Sequence, residues 1–374
     1  MSIIIRILIG LIGLSFLVFF HETGHFIAAR LFGVKVEAFS IGIGPILLHK
    51  TINETDYRLS LIPLGGYCAM NGEKEYQEAL EKNLKEIKGD KDTLYGIHPF
   101  KRLLIAFAGP FFNLLFTFIA MYLIACTGYT YFTRGTKVIM ADEIDATINS
   151  PAHEAGLQTG DKILRLDNTE IEDWTDLVQY ISLRGNEDVL VTVERNNEVL
   201  QYTVHCNLNK DTGMGQIGVY SDEKELIQKE YPSHNFFTAF PEAFNQTGEI
   251  ISVTIKSLGV LFKGVNLTKV VSGPASITSM LGDIAIDGFK DSFRTGFVSV
   301  MQMLAFISLS LFFTNLLPVP VLDGGLILFA IIELITRKKM SPKLLRNIQY
   351  IGMAFIALLF VLAITGDIQY FINR

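Results

Sequence analysis

The chain contains no CxxC pair, and its three cysteines, Cys68, Cys126 and Cys206, are too few and too scattered for a disulfide framework. A cysteine-held zinc site and a disulfide-stapled scaffold are both excluded, and the three thiols read as ordinary apolar or surface positions. Dense positive charge is also missing: 32 lysines and arginines face 38 acidic residues, a net charge of −6. Nucleic acid is therefore not an expected partner. No small-residue cleavage site interrupts the first apolar run, so that run is expected to remain as a membrane anchor and not to leave as a signal peptide.

What the chain has in quantity is apolar sequence. Hydrophobic residues make up 49% of 374 and the mean hydropathy is +0.35, which points to a membrane protein carrying a substantial soluble part. Four runs, about Ile3–Leu31, Leu103–Ala125, Phe297–Val321 and Ile348–Gly366, approach the ~20 residues that a hydrocarbon core requires. The clearest basic cluster near a span end is Arg337, Lys338, Lys339, Lys343 and Arg346, between the third and fourth runs, so that loop is expected in the cytoplasm. Counting back, Phe32–Arg102 falls inside, and both termini and Thr127–Gly296 fall outside.

The first run ends in His21-Glu22-Thr23-Gly24-His25, an HExxH pattern. Residues four apart share a helix face, so both imidazoles can reach one Zn²⁺ while Glu22 stands beside the open coordination position as general base. HExxH also arises by chance, and a histidine pair can be a simple polar contact. The membrane setting favours the metal, because ionisable groups in a span are costly to insert and usually functional.

A catalytic zinc needs a third protein ligand. Asp323 is the candidate: it is the acidic residue beside the third run, on Asn315-Leu-Leu-Pro-Val-Pro-Val-Leu-Asp323-Gly-Gly, where prolines and glycines break regular helix, and the topology puts it at the same depth and side as the histidines. Without the HExxH it would read as a turn residue at a helix end. Broken backbone at membrane depth survives only under protein cover or beside a watery cavity.

Between the first two runs, Val34–Met70 mixes β-type residues with Gly42, Gly44, Gly65 and Gly66, suggesting short strands against the membrane, and Gly72–Asp92 reads as a solvated charged helix. Beyond the second run a small soluble domain is expected. Ser150-Pro151 opens a helix that Gly156 ends, followed by strands at Lys162–Leu166, Val189–Glu194 and Val199–His205 and a helix at Trp174–Leu183. No second copy of that pattern follows. Phe236–Val265, apolar but interrupted by Lys256 and Lys263, fits an amphipathic helix on the membrane surface.

Together these residues resemble the intramembrane site-2 zinc metalloproteases, peptidase family M50, and within it the bacterial RseP-like group. HETGH matches the family's HExxH, and Asn315 through Gly324 matches its NxxPxPxLDG element, whose Asp is the third zinc ligand. Phe39-Ser-Ile-Gly-Ile-Gly-Pro45, Pro63-Leu-Gly-Gly-Tyr67, Ala108-Gly-Pro-Phe-Phe-Asn113 and Ser272-Gly-Pro274 are similar to further family elements, and Thr136–Asn207 to its PDZ domain. The resemblance spans nearly the whole chain. It departs at one point: well-known relatives carry tandem PDZ domains where this chain has one.

The resemblance implies a polytopic α-helical protein of the bacterial cytoplasmic (inner) membrane, with about four transmembrane helices, a membrane-associated β element and one extracytoplasmic PDZ (α+β) domain. The expected division is 1–126 for spans one and two with the β loop, 127–222 for the PDZ domain, 223–296 for the membrane-surface region and 297–374 for spans three and four. Implied activity is zinc-dependent cleavage of single-span membrane proteins, such as anti-sigma factors or remnant signal peptides, in regulated intramembrane proteolysis after an upstream site-1-type protease has trimmed them. Gly42, Ile43 and Gly44 would correspond to the loop that pairs with unwound substrate, and Asn315 to a residue that helps hold it. Two other classes are open to the same sequence. An inactive PDZ adaptor with a structural zinc would have no use for Glu22 as a base, and a zinc carrier would need ligands spread along several spans.

Overall fold

The computed structural model describes residues 3–222 and 225–372. Helix α1 (Ile3–Leu31) leads into β1 (Val36–Ile52), β2 (Thr55–Met70), a short α2 (Glu73–Glu81) and a long α3 (Pro99–Thr127). A mixed region follows: β3 (Tyr129–Arg134), β4 (Val138–Met140), α4 (Ala141–Ile144), α5 (Pro151–Glu154), β5 (Lys162–Leu166), β6 (Thr169–Glu170), α6 (Trp174–Ser182), β7 (Glu187–Arg195), β8 (Glu198–Leu208), β9 (Gly215–Gln216), β10 (Val219–Ser221) and β11 (Leu226–Tyr231). Its remaining helices are α7 (Ala239–Val260), α8 (Leu267–Val270), α9 (Pro274–Asp291), α10 (Phe293–Leu316), α11 (Asp323–Thr336) and α12 (Pro342–Ile372). Two units result. One takes the chain up to Cys126, Phe236–Thr247 and everything from Gly273 onward, and the other takes Thr127–Asn235 and Gly248–Ser272.

In the first unit, α1, α3, α10 and α12 are long and apolar enough to cross a membrane. Even the shortest, 24 residues, extends about 36 Å at 1.5 Å per residue, against a hydrocarbon core of about 30 Å. They coincide with the four apolar runs, with one difference at the third. Helix α10 stops at Leu316, residues 317–322 are non-helical around Pro318 and Pro320, and Asp323 opens the separate helix α11. Proline cannot donate the helical N–H, and it disfavours helix in the residue before it, so two prolines spaced by one residue end α10.

Helix α9 lies along α1 and α10 with Ser276, Thr278, Ser279, Leu281, Gly282, Ala285 and Ile286 buried. Its polar Asp283 forms an ion pair with Arg6 of α1. Asp367 of α12 caps its first turn, accepting from Ala275 N (3.1 Å), Ser276 N (2.9 Å) and Ser276 Oγ (2.6 Å). Helix α2 is less solvated than its charge suggests: Tyr76 and Ala79 are buried with Ile87, Phe329 and Leu345, because its apolar residues three apart share one face.

Strands β1 and β2 bend, so that four stretches lie side by side in the order 66–70, 36–41, 56–59 and 46–52. Ile43, Ile46, Leu47, Leu48, Leu61 and Ile62 remain exposed on this small sheet.

The second unit is built on a five-stranded sheet in the order β6-β5-β7-β8-β9. Period-two alternation puts Val189, Val191 and Val193 of β7 and Val204 and Cys206 of β8 into a core with Ile163, Leu166 and Leu177. Each of the strands and helices expected in 150–205 is present, with ends displaced by at most three residues. Ser150 caps α5 through His153 N, and Asp173 caps α6 through Thr175 N (2.8 Å) and Asp176 N (3.2 Å). Arg195 grips the buried Asp161 with two hydrogen bonds of 2.7 Å. Burial raises the Asp173 carboxyl, but hydrogen bonds from Lys229 and the two cap N–H groups outweigh it and hold the group below its ordinary value of 3.8.

Candidate metal centre

Helix α1 carries His21 and His25 one turn apart, and the first residue of α11 carries Asp323. Their donor atoms cluster closely: His21 Nε2 lies 3.2 Å from His25 Nε2, and each imidazole faces its own carboxylate oxygen, His21 Nε2 at 3.2 Å from Asp323 Oδ2 and His25 Nε2 at 3.2 Å from Asp323 Oδ1. For zinc bonds of about 2.0–2.1 Å, a tetrahedron has edges of roughly 3.3 Å, so each of these donor separations matches the spacing of ligands around one zinc. They are the group among the described residues that could hold a metal ion.

The tautomer of His25 strengthens the fit. Its Nδ1 lies 2.8 Å from the Ile105 carbonyl oxygen, which can only accept, so Nδ1 carries a proton. In the neutral ring Nε2 then presents a lone pair to a carboxylate oxygen and to a second imidazole, an arrangement that a cation between them relieves.

Helix α3 makes this approach possible. A Cβ added at Gly109 would overlap His25 Nε2 and come within 2.6 Å of His25 Cε1 and 2.8 Å of His21 Cε1. Gly24 does the same from the other side, where a Cβ would fall 2.8 Å from the Ala108 carbonyl carbon. Two facing glycines thus let the backbones of α1 and α3 close on the imidazoles.

Glu22, Asn315 and Asp323 line, with both histidines, a cavity of about 440 Å³. Gly66, Tyr67 and Cys68 of β2 form another wall, and the Gly66 position is 3.3 Å from Glu22 Cγ by the same Cβ construction. Deeper polar groups include Tyr95, Gln349 and the Arg102–Glu333 ion pair, with Glu333 also accepting from Met340 N (2.9 Å). Of the residues singled out from sequence, His21, Glu22, His25, Asn315 and Asp323 therefore meet at one cavity. Gly42, Ile43 and Gly44 lie in the sheet but not on the cavity wall, where 66–68 stand instead. Ile105, Gly109 and Asn113 contact the histidines without having been assigned a role from sequence. An amide inside an apolar span was the signal the sequence carried for Asn113.

Comparison with known proteins agrees with this chemistry. The sequence profile of Peptidase family M50 matches residues 9–359. A protein of Treponema pallidum is 32% identical, with 98% of this chain and 99% of the relative covered, and one of Campylobacter jejuni is 33% identical over 99% and 95%. A third, from Borreliella burgdorferi, is 30% identical over 98% and 99%. Each carries a zinc metalloprotease designation. A match of this length, reached with the site's geometry already in place, makes the chain a member of peptidase family M50, a zinc metalloprotease with four helices fit to cross a membrane.

Proposed function

We propose that the chain is an intramembrane protease of the bacterial cytoplasmic membrane that cuts the transmembrane segments of single-span proteins, among them trimmed anti-sigma factors and remnant signal peptides, in regulated intramembrane proteolysis. The observation that carries this reading is the cluster of donors contributed by His21, His25 and Asp323, with Glu22 on the same turn of an apolar helix long enough to span. These three residues would hold the zinc.

Bound there, zinc supplies a polarised scissile carbonyl and a water acidified to a pKa of roughly 7. Glu22 takes the proton of the attacking water and later returns it to the leaving amine. Asn315, on the cavity wall, offers amide hydrogen bonds to the substrate backbone. A helical peptide bond is shielded by its own hydrogen bonds, so substrate must unwind, and freed backbone groups in a membrane need new partners. The 66–70 stretch is the edge of its sheet and lines the cavity, which makes it the strand on which an unwound segment can pair. Gly42–Gly44, where Ile43 pairs with Ile62, would correspond to a further stretch that pairs with unwound substrate.

The second unit reads as a PDZ domain outside the membrane, on the side opposite the basic 337–346 loop. Its sheet and α6 border a groove of about 380 Å³ walled by Trp174, Leu177, Val178 and Ile181. It contributes none of the zinc ligands, so its role is to limit access: untrimmed partners with large external domains are excluded until an upstream site-1-type protease has cut them. Deleting 136–207 would then make an untrimmed substrate cleavable, whereas loss of cleavage of the trimmed form would show recruitment instead.

An inactive adaptor with structural zinc is disfavoured by Glu22 standing at the cavity. The deciding experiment compares membrane proteins that accumulate with a Glu22→Gln form against those of the active enzyme. Accumulated single-span fragments support the reading, and identical membrane protein populations would overturn it.

A further inference from the structure

We propose that Asn113 is a positioning residue for His21: its side-chain carbonyl oxygen accepts the Nδ1–H of that imidazole and thereby fixes the tautomer whose Nε2 lone pair faces the metal. This rests on the assignment of His21, His25 and Asp323 as the zinc ligands.

Asn113 is completely buried on α3, and its amide lies 3.0 Å from His21 Nδ1. The two ends of an amide are distinguished by their hydrogen bonds. With Nδ2 toward the ring, the buried Oδ1 has no hydrogen-bond partner among the described residues. In that arrangement His21 Nδ1 accepts, so Nε2 carries a proton and points it toward Asp323 and His25, leaving no lone pair for a metal. Turning the amide by half a rotation frees the metal-facing nitrogen and gives the carbonyl its partner, with the amide N–H groups taking the position that Oδ1 held. Oδ1 then accepts from Nδ1–H at a normal N–H···O distance, and Nε2 is left free.

His25 is already held in this way by the Ile105 carbonyl. Ile105, Gly109 and Asn113 follow at intervals of four along one face of α3. The first orients one imidazole, the second leaves room for both, and the third orients the other. Asn113 is itself fixed in place, because its backbone carbonyl accepts from Ser308 Oγ of α10 (2.9 Å) and from Thr117 Oγ1 (3.1 Å).

The test measures zinc affinity by chelator competition in Asn113→Leu, Asn113→Asp and His21→Ala proteins, together with the visible absorption of the cobalt-substituted forms. Leucine removes the acceptor, and zinc should bind about 10–100-fold more weakly with an altered cobalt spectrum. Aspartate can only accept, so Asn113→Asp should stay within a few-fold of wild type and retain the spectrum. A fall in Asn113→Asp as large as in Asn113→Leu would mean that the amide N–H is what His21 needs, and the proposal would fail. Unchanged affinity in Asn113→Leu would defeat it equally. If the leucine protein does not fold, the aspartate comparison alone decides. Unchanged zinc binding in His21→Ala would overturn the ligand set and this proposal together, whereas weakened binding there with intact Asn113 variants would overturn this proposal only.

Discussion

Replacing Gly109 with alanine adds one methyl group at the point where the two imidazoles meet. That carbon would overlap His25 Nε2 and stand 2.6 Å from His25 Cε1 and 2.8 Å from His21 Cε1, well inside van der Waals contact. Helix α3 is tied to α10 by Ser308 Oγ donating to the Asn113 carbonyl (2.9 Å) and Thr117 Oγ1 donating to the Ala305 carbonyl (3.2 Å), so the rings must turn. Overpacking of this kind costs about 1–3 kcal/mol. The strain falls mainly on the zinc-bound state, where the rings are held at fixed bond lengths, while in the zinc-free state they can rotate away. At about 1.4 kcal/mol per tenfold, zinc should bind roughly 5–150-fold more weakly. Chelator competition on purified protein measures the affinity, and thermal unfolding with and without zinc should show a larger loss in the loaded form. Wild-type zinc affinity in Gly109→Ala would refute the close α1–α3 approach on which the site depends.

Glu22→Gln should keep zinc and fold but lose cleavage by about 10²–10⁴-fold, because the amide preserves size and cannot act as a base; wild-type turnover would remove Glu22 from the mechanism. Arg195→Met leaves the buried Asp161 unpaired and should destabilise the second unit by about 3 kcal/mol in thermal unfolding, with no change in zinc content. A carboxylate whose folded pKa lies below its unfolded one stabilises above the unfolded value and loses that contribution as pH falls through the folded value. Asp173 is such a group, so acid unfolding of the second unit below about pH 4 should flatten in Asp173→Asn, and an unaltered profile would contradict the Lys229 pairing. A membrane-impermeant thiol probe should reach cysteines placed in 150–218 from outside but not those in 337–346, and the reverse pattern would invert the topology.

The parts legible in sequence are those whose signal is local. Val189, Val191 and Val193 announce a strand by alternation alone, and HExxH needs only the helical repeat to bring His21 beside His25. Asp323 could be paired with them because its prolines and glycines marked irregular backbone beside a span. Helix α9 was harder to place: Asp283, Asp287 and Lys290 make it look like a surface segment, and its burial depends on small residues against α1 and on the distant Arg6 and Asp367. The fourfold arrangement of β1 and β2 depends on two stretches, 36–41 and 56–59, each pairing on both edges, which composition does not encode. The contributions of Ile105, Gly109 and Asn113 come from a backbone carbonyl, a missing side chain and an amide, none of which forms a ligand motif.

The central claim is zinc-dependent cleavage inside an apolar segment by the His21, His25 and Asp323 site. Purified protein and a trimmed single-span substrate in lipid vesicles, with the products read by mass spectrometry, test it most directly. Cleavage should occur within the substrate's membrane segment, stop on chelation, return with zinc, and be lost in Asp323→Ala. Cleavage that survives chelation, or that falls only in the substrate's soluble part, would contradict it.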